Sequence, residues 1–311
     1  MKSNNDPGKE EIEEFFKNLQ DKICDAIEKA DGKKQFEQDL WQHHSGGGGR
    51  TRLIQEGAII EKGGVNFSAV YGPASEDMKR QLKIEKDADF FATGVSIVQH
   101  PHNPMVPIIH MNVRYFELSD GTYWFGGGID LTPHYINLFQ AKAFHEKLKQ
   151  VCDKHDVGFY PQYKKWADDY FYIVHRQETR GVGGIFFDHL NEQSLKKSKR
   201  EIFNFVKEVG EAFAPIYTQL MKTNAGLSYS EEQKEWQHIR RGRYVEFNLV
   251  WDRGTKFGLA TGGRTESILM SLPKEAKWFY NHSPANGSKE EETLSFLKKG
   301  IDWVNLEVQE R

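Results

Sequence analysis

Cysteine is scarce in this sequence, and long apolar runs are missing altogether. The 311 residues contain two cysteines, Cys24 and Cys152, whose positions match neither a C-x-x-C nor a zinc-ribbon pattern. No apolar run approaches the roughly 20 residues that span a bilayer. Residues 1–10 are polar and charged, without the apolar core of a secretory signal. We therefore expect a soluble, cytoplasmic protein without a transmembrane segment, with both thiols reduced.

A large excess of one charge is absent as well. The formal net charge is −3 and the sequence pI is about 6.5, so the molecule lacks the overall basic field that nonspecific nucleic-acid binding needs. Aromatic residues are plentiful instead, with 21 Phe, 12 Tyr and 7 Trp. Most of them are expected in a large core, and a smaller number would suit a pocket for a flat or bulky apolar ligand.

Hydrophobic periodicity predicts one α+β domain over residues 1–311, with residues 1–10 as a mobile tail. The strands concentrate in the first half, and no βαβα alternation appears. This order favours a large antiparallel sheet flanked by helices on both sides. Helices are predicted at 11–30, 132–151, 163–174 and 194–223, with 266–272 ambiguous between helix and strand. Strands are predicted at 51–71 (two strands), 93–99, 108–118, 123–130, 185–188 and 244–250.

Glycine marks the predicted turns. The four glycines of Gly46–Gly49 indicate a mobile turn, because no Lys-Ser or Lys-Thr follows them as in a phosphate-binding loop. Gly63 and Gly64 are interpreted as the turn of a hairpin formed by residues 51–71. Residues 254–258 are predicted to start a further short strand.

Histidines are the first candidates for chemistry. His100, His102 and His110 lie close together in the sequence, and His145 and His175 belong to predicted helices. Imidazoles from separate elements can meet and bind a divalent metal. No H-E-x-x-H or comparable motif supports a metal here, so the spacing favours the alternative, an acid–base group with ordinary histidines around it.

Arg114 and Asp130 stand out among apolar and aromatic neighbours on adjacent predicted strands. A covered Arg114 needs a carboxylate, from the protein or from a ligand. Asp130 follows Gly126-Gly127-Gly128, where missing side chains would let a bulky ligand approach the backbone. Two interpretations remain open: a ligand site, or a simple Arg114–Asp130 pair across the hairpin.

A second group of cations follows near the C-terminus. Arg240 and Arg241 are interpreted as a solvated helix end. Arg264 is the better candidate for binding a carboxylate, because Gly262-Gly263 shapes the backbone beside it. Lys164 and Asp168 are expected to form a surface i, i+4 ion pair without a chemical role.

Long motifs in this order resemble the oxygen-dependent coproporphyrinogen-III oxidases over nearly the whole chain. The matching stretches are G-G-G-G-R-T-R at 46–52, G-V-N-F-S at 64–68, G-V-S-I-V-Q-H-P-H-N-P at 94–104, H-M-N-V-R-Y-F-E at 110–117, W-F-G-G-G-I-D-L-T-P at 124–133, K-K-W-A-D-D-Y-F at 164–171, G-G-I-F-F-D at 183–188, R-R-G-R-Y-V-E-F-N-L-V-W-D-R-G-T at 240–255 and G-G-R-T-E-S-I-L-M-S-L-P at 262–273.

The resemblance implies a homodimer that binds a tetrapyrrole substrate, with a dimer-forming region at about 244–278. The implied reaction converts two propionates of coproporphyrinogen III to vinyl groups, consumes O₂, releases CO₂ and yields protoporphyrinogen IX. It implies neither flavin nor haem. In bacterial members a divalent metal (Mn or similar), of unsettled necessity, is described on four histidines.

Residue by residue, the resemblance implies the following sites. The metal ligands are His100, His110, His145 and His175, the catalytic residues are His110 (proton donor) and Asp130, and the substrate contacts are Ser96, Asn112, Val113, Arg114, Gly262, Gly263 and Arg264. From the chemistry of the substrate we expect Arg114 and Arg264 to anchor unreacting propionates and Asp130 to gather pyrrole N–H groups. A metal-dependent hydrolase or oxygenase and a non-catalytic tetrapyrrole carrier are the alternatives.

Overall fold

A seven-stranded antiparallel sheet organises the computed structural model, which describes residues 6–82, 85, 87–260 and 262–308. The strands follow one another in space in the order β1-β2-β3-β4-β5-β6-β9, and β7 pairs with β8 separately. The strands are β1 (Glu37–Gln42), β2 (Gly47–Gln55), β3 (Ile60–Pro73), β4 (Asp89–Pro101), β5 (Ile108–Leu118), β6 (Tyr123–Thr132), β7 (Tyr172–Ile173), β8 (Glu178–Thr179) and β9 (Gly183–Leu190).

Helices surround this sheet and complete the α+β fold predicted from the sequence, which is confirmed. They are α1 (Lys9–Asp31), α2 (Glu76–Leu82), α3 (Leu138–Asp153), α4 (Phe159–Tyr170), α5 (Glu192–Leu195), α6 (Lys199–Asn224), α7 (Glu231–Glu246), α8 (Arg253–Ala260), α9 (Thr265–Leu269) and α10 (Lys289–Phe296). In the part of the chain that the structure describes, no helix combines the length and the apolarity needed to cross a membrane.

The main core lies between one face of the sheet and the long helices α1 and α6. Helix α1 buries Phe16, Leu19 and Ile23 along one stripe, and α6 buries Phe205 and Val209 in the same cluster. This spacing of three and four residues is the pattern that predicted both helices. Helix α1 begins at Lys9, so residues 9 and 10 are helical; residues 1–5 of the expected mobile tail lie outside the described residues.

Two glycine-based predictions were wrong. Gly63 and Gly64 lie inside β3, where a side chain on Gly64 would overlap Met270. The turn comes earlier, because the Asp31 carboxylate accepts hydrogen bonds from the backbone N–H groups of Ala58, Ile59 and Ile60. Glycines 47–49 belong to β2 rather than to a mobile turn, because β2 pairs with both β1 and β3 there.

The predicted strand 244–250 was also wrong. Helix α7 continues to Glu246, and Phe247–Trp251 forms one π-helical segment. Residues 254–258 are likewise helical, within α8, whereas the ambiguous segment 266–272 contains helix α9. Tyr244 and Phe247 are three residues apart, and both rings pack on the guanidinium of Arg180. These tertiary contacts override the β-propensity of the two residues.

Candidate active site

The two faces of the sheet differ in chemistry, because side chains alternate along each strand. One face is apolar and fully buried towards α1 and α6: Val95, Ile97, Met111, Val113 and Ile129. The opposite face carries most of the candidates from the sequence, and we call it the polar face: Ser96, His110, Asn112, Arg114 and Asp130. The side chain of Val113 therefore points away from the other expected substrate contacts, and only its backbone lies in the site.

Cross-strand register sets the floor of the polar face. Asn112 lies between Ser96 and Gly128, and Arg114 lies between Gly94 and Gly126. Directly paired residues are about 4.5–5.5 Å apart, so glycine lies on both sides of Arg114 and on one side of Asn112. A Cβ on Gly126 would lie 2.5 Å from Asp188 Oδ1 and 2.8 Å from Arg114 Nε. Glycine at this position therefore leaves room for the Arg114 and Asp188 side chains to lie close to the sheet.

His110 and Asp130 face each other directly across β5 and β6. His110 Nδ1 donates to Asp130 Oδ1 at 2.8 Å. Arg180 Nη2 donates to Oδ1 at 2.7 Å and to Oδ2 at 2.8 Å, and Arg180 Nε donates to Oδ2 at 3.2 Å. The Asp130 side chain is 1% exposed, so the protein occupies both of its oxygens and covers it almost completely.

These contacts set the charge of Asp130 and the orientation of His110. Burial alone would raise the pKa of Asp130, but Arg180 and His110 outweigh burial and hold that pKa below its ordinary value. An ionised Asp130 accepts the Nδ1 proton, so neutral His110 carries its lone pair on Nε2. The His110 side chain is 22% exposed, and Nε2 has no hydrogen-bond partner within the described residues. The pair therefore presents a proton acceptor to the polar face.

Arg114 pairs with Asp188 and not with Asp130, the partner considered in the sequence analysis. Its Nη2 lies 2.8 Å from Asp188 Oδ2 on the edge strand β9, and its Nη1 donates to Asn112 Oδ1 at 3.2 Å. The simple Arg114–Asp130 pair across the hairpin is therefore wrong. The Arg114 side chain remains 37% exposed. A guanidinium held on one side and open on the other can accept a second carboxylate.

Two groups of residues border the polar face. On the side of β2 and β3, Ser267 bonds Thr51 through its hydroxyl at 2.8 Å and Asn66 through its carbonyl at 2.7 Å. On the β9 side an aromatic group lies beside Gly128, where Phe186 stacks on Tyr170 with ring centroids 4.0 Å apart. The open part of the face thus lies over β4, β5 and β6.

Arg264 follows a helix end built from glycine. Gly262 has φ +74°, and Gly263 N–H bonds Gly258 O at 2.8 Å, the pattern of a Schellman cap on α8. Arg264 precedes α9 and pairs with Asp39 of β1. Because α9 carries Ser267, Arg264 belongs to the segment that borders the polar face, across the sheet from Arg114.

The expectation that Arg240 and Arg241 are solvated was wrong, whereas the expected ion pair between Lys164 and Asp168 is present. Arg240 and Arg241 are not solvated: their side chains are 4% and 0% exposed and pair with Glu178 and Glu61. Sequence spacing could not show these acidic partners, which come from distant strands. Lys164 and Asp168 do form the expected i, i+4 pair, at 2.6 Å, although both side chains are largely buried.

The structure does not bring the four expected metal ligands together. His100 lies on the polar-face side of β4, where Nε2 donates to Ser271 O at 2.8 Å. His145 uses Nε2 for Val182 O at 2.9 Å and Nδ1 for the Tyr160 hydroxyl at 3.0 Å, in the core. His175 uses Nε2 for Glu246 at 2.7 Å and Nδ1 for Trp251 at 2.9 Å. Of the four, only His100 and His110 share a face.

A shared metal does not fit this arrangement. Both nitrogens of His145 and of His175 already have protein partners, and burial brings the pKa of His145 down to about 3. Across the residues that the structure describes, no group of three or more His, Cys, Asp or Glu side chains could hold a metal ion. We derive no chemical step through a metal.

Sequence reasoning missed two members of the site, Arg180 and Asp188. Asp188 is the last residue of the G-G-I-F-F-D motif, and its place on β9 beside β6 depends on a register shift between Phe125 and Gly127. Arg180 follows β8 and reaches β6 only through the tertiary fold. An unpaired buried Asp130 was the available signal, because such a carboxylate requires a cation.

Comparison with known proteins identifies the family of this chain. The family model described as coproporphyrinogen III oxidase matches residues 11–303. The mitochondrial oxygen-dependent coproporphyrinogen-III oxidase of Rattus norvegicus is 49% identical over 313 residues, which cover 96% of this chain and 70% of that protein.

A plant relative gives the same result. The chloroplastic oxygen-dependent coproporphyrinogen-III oxidase of Glycine max is 47% identical over 307 residues, covering 94% of this chain and 79% of that protein. The human mitochondrial enzyme is 48% identical over 309 residues, covering 95% of this chain and 67% of that protein. The family match and these identities extend over nearly the whole chain. The chain therefore belongs to the oxygen-dependent coproporphyrinogen-III oxidase family.

Proposed function

We propose that this protein oxidatively decarboxylates two propionate side chains of coproporphyrinogen III with O₂ and produces protoporphyrinogen IX in haem biosynthesis. One observation carries the mechanism: a His110–Asp130 pair lies at a glycine-lined face with Arg114 beside it. A reduced tetrapyrrole is a flexible, bent macrocycle that needs close access to the backbone, cations for its carboxylates and an acceptor for its pyrrole N–H groups, and this face offers all three.

Substrate anchoring falls to the two arginines that border the face. Arg114 is held by Asp188 and keeps its open side for one unreacting propionate. Arg264, beside Gly262 and Gly263, takes another from the opposite border by exchanging its exposed partner Asp39. Between them Ser96 and Asn112 supply hydrogen-bonding groups on adjacent strands. Two fixed anchors place the remaining propionates against the reacting groups.

His110 takes the direct role in proton transfer. The chemistry of the substrate predicts that Asp130 gathers pyrrole N–H groups, but its oxygens are occupied by Arg180 and His110. His110 Nε2 is the remaining acceptor at this place, so it receives the N–H proton of the reacting pyrrole. Asp130 fixes the imidazole and stabilises the imidazolium that forms, as a carboxylate does beside a catalytic histidine.

Dioxygen then reacts with the deprotonated pyrrole, because the substrate itself is the reductant. A peroxide formed on the ring takes a proton from the propionate β-carbon and leaves as its bond to the ring breaks, so that the ring is oxidised by two electrons. The bond to the carboxylate then breaks, CO₂ leaves, and the electrons of that bond form the vinyl double bond and restore the pyrrole, whose nitrogen regains the proton held by His110. The atoms and charges balance when each propionate, one O₂ and one proton give one vinyl group, one CO₂ and one H₂O₂. The protein supplies orientation and charge placement.

One experiment separates this function from a tetrapyrrole carrier. Purified protein is incubated with coproporphyrinogen III in air and under argon. The products are then oxidised to porphyrins, separated by chromatography and detected by their fluorescence. We expect protoporphyrin in air only, with one CO₂ per vinyl group formed. Binding without O₂ consumption would favour the carrier instead.

The divalent metal (Mn or similar) implied by the resemblance stays an untested prediction, as does the expected absence of flavin and haem. Our mechanism uses only the side chains of the polar face, so we expect activity to survive removal of metal. Metal content of the purified protein, with turnover before and after dialysis against a chelator, tests this point. Activity that disappears on chelation and returns with Mn²⁺ would assign the metal a role.

We further propose a homodimer formed around Glu246. Exposed apolar side chains gather there, because Trp278 donates to Glu246 at 3.0 Å and Trp251 reaches it through His175. The exposed large side chains in this patch, which we call the Glu246 patch, are Leu249, Val250, Trp251, Trp278, Phe279 and Tyr280. Several exposed apolar side chains in two short segments that meet at Glu246 favour contact with a partner. The dimer-forming region implied by the resemblance, 244–278, contains most of it.

We retain the cytoplasm as the proposed location. The two free cysteines, Cys24 and Cys152, are buried and fit a reducing compartment. The relatives compared above are named mitochondrial or chloroplastic. Fractionation of the source cells with an antibody against the protein would decide between the cytoplasm and an organelle.

A further inference from the structure

We propose that Arg180 is the positioning residue of the active site: it fixes the Asp130 carboxylate so that His110 Nε2 points to the substrate. The inference rests on the proposed roles of His110 and Asp130. Arg180 itself is 3% exposed and does not reach the open part of the polar face. It acts on the reaction only through Asp130.

The geometry of the ion pair defines the carboxylate plane. Arg180 Nη2 contacts both Asp130 oxygens, at 2.7 and 2.8 Å, while Nε contacts Oδ2 at 3.2 Å. The remaining Nη1 donates to Asn248 Oδ1 at 2.9 Å. A guanidinium with donors in a rigid fork restricts rotation of the carboxylate, whereas the point charge of a lysine would not.

Three aromatic rings hold the guanidinium in turn. The Arg180 Cζ atom lies 4.4 Å from the ring centre of Phe171, 4.6 Å from that of Tyr244 and 4.7 Å from that of Phe247. The rings come from three places in the chain: the end of α4, helix α7 and the π-helical segment. Cation–π contacts from several sides leave the arginine one position. The backbone N–H of Arg180 also bonds Phe171 O at 2.8 Å.

This arrangement leaves one acceptor position on Asp130 for His110. Oδ1 receives Nδ1 of His110 at 2.8 Å together with Arg180 Nη2. If the carboxylate turned, the Nδ1–H bond would break and the imidazole would lose its fixed tautomer. A misplacement of about 1 Å at reacting groups costs about 10²-fold in rate. The aromatic-held arginine therefore controls a group it does not touch.

The test compares Arg180→Lys with a matched control, Arg240→Lys. Arg240 is also buried and paired with a carboxylate, Glu178 at 2.9 Å, but has no role in the proposed chemistry. For Arg180→Lys we expect kcat to fall about 10²-fold with KM within about threefold. The control should keep kcat within about threefold.

A second readout does not depend on turnover. In ¹⁵N-histidine-labelled, ligand-free protein, we expect one imidazole assigned to His110 to be protonated at Nδ1 and bare at Nε2. Arg180→Lys should abolish this single tautomer, and Arg240→Lys should preserve it. A folded Arg180→Lys variant with the wild-type tautomer and normal kcat would overturn the proposal. If the wild-type protein did not turn over coproporphyrinogen III, the proposed function would be wrong. The tautomer measurement would still test whether Arg180 positions His110, because it uses ligand-free protein.

The double variant Arg180→Met with Asp130→Asn covers the case in which Arg180→Lys does not fold. It removes both buried charges together, which avoids an unpaired ion. If Arg180 acts only through Asp130, the double variant has a kcat no lower than Asp130→Asn alone. A further loss that multiplies with the first would contradict the positioning role.

Discussion

At the scale of single residues, adding one methyl group at Gly126 tests whether the substrate binds at the polar face. A Cβ there would come within 2.8 Å of Arg114 Nε and 2.5 Å of Asp188 Oδ1. We predict that Gly126→Ala displaces Arg114 from Asp188 and raises KM about tenfold, which corresponds to about 1.4 kcal/mol of binding free energy. Steady-state kinetics measure the change.

A matched control is Gly226→Ala, where no atom lies within 4 Å of the added Cβ. Its KM should equal that of the wild type. If Gly126→Ala also left KM unchanged while folding normally, the polar face would not be the place where the substrate binds.

The Asp188 carboxylate predicts a pH dependence of stability. Burial would raise its pKa, but His189 and Arg114 outweigh burial and lower that pKa to about 2 from its ordinary value of 3.8. A lowered folded-state pKa gives stability that is present above the unfolded value and is lost as pH falls from about 4 to about 2. The stability difference between wild type and Asp188→Asn should therefore shrink over that window. Urea unfolding at pH 6, 4 and 3 measures it, and a difference independent of pH would count against the ion pair.

The sequence identified His110, Arg114 and Asp130 as candidates because polar residues are unusual among apolar and aromatic neighbours. It could not identify their partners. Asp188 and Arg180 reach these side chains only when β9 lies beside β6 and the segment after β8 packs against β6. Local spacing contains no information about such distant pairs. The resemblance to a family identified His110, Arg114 and Asp130, and only the fold shows which side chains they contact.

At the scale of elements, a buried ion pair joins α7 to β3. Arg241 is 0% exposed and lies 2.5 Å from Glu61, whose side chain is 9% exposed. We predict that Glu61→Gln lowers the free energy of unfolding by about 3 kcal/mol or more, because it leaves a buried guanidinium without its counter-charge. Chemical denaturation measures this loss.

Lys274→Ala serves as the comparison, since Lys274 pairs with Glu56 at the surface. Exposed pairs contribute little to stability, so this variant should unfold like the wild type. Equal stability of Glu61→Gln and wild type would mean that the α7–β3 pair does not stabilise the fold.

Most strands could be predicted from the sequence, whereas the segment around 244–250 could not. β5 and β6 alternate small or polar residues with buried apolar ones, which is the direct pattern of a strand with two different faces. Residues 244–250 are rich in aromatic and branched side chains, yet they continue α7 and form a π-helical segment. Their rings surround Arg180, a contact that propensity cannot represent.

At the scale of the whole molecule, the Glu246 patch predicts association. We expect a dimer by light scattering coupled to size-exclusion chromatography. The double substitution Trp278→Glu and Tyr280→Glu should yield a monomer, because charged side chains oppose burial at an apolar interface. The same pair of glutamates in place of Leu40 and Tyr71, which are exposed elsewhere, should leave the dimer intact. A wild-type monomer at micromolar concentration would contradict the proposed homodimer.

The most direct test of the account is a paired measurement on His110→Gln. The anaerobic dissociation constant for coproporphyrinogen III and the aerobic rate of O₂ uptake are determined on the same preparation. We predict that binding changes by less than about threefold while O₂ uptake falls about 10²–10⁴-fold, because the anchors remain and the proton acceptor is lost. O₂ uptake close to that of the wild type would contradict the claim that His110 Nε2 activates the pyrrole.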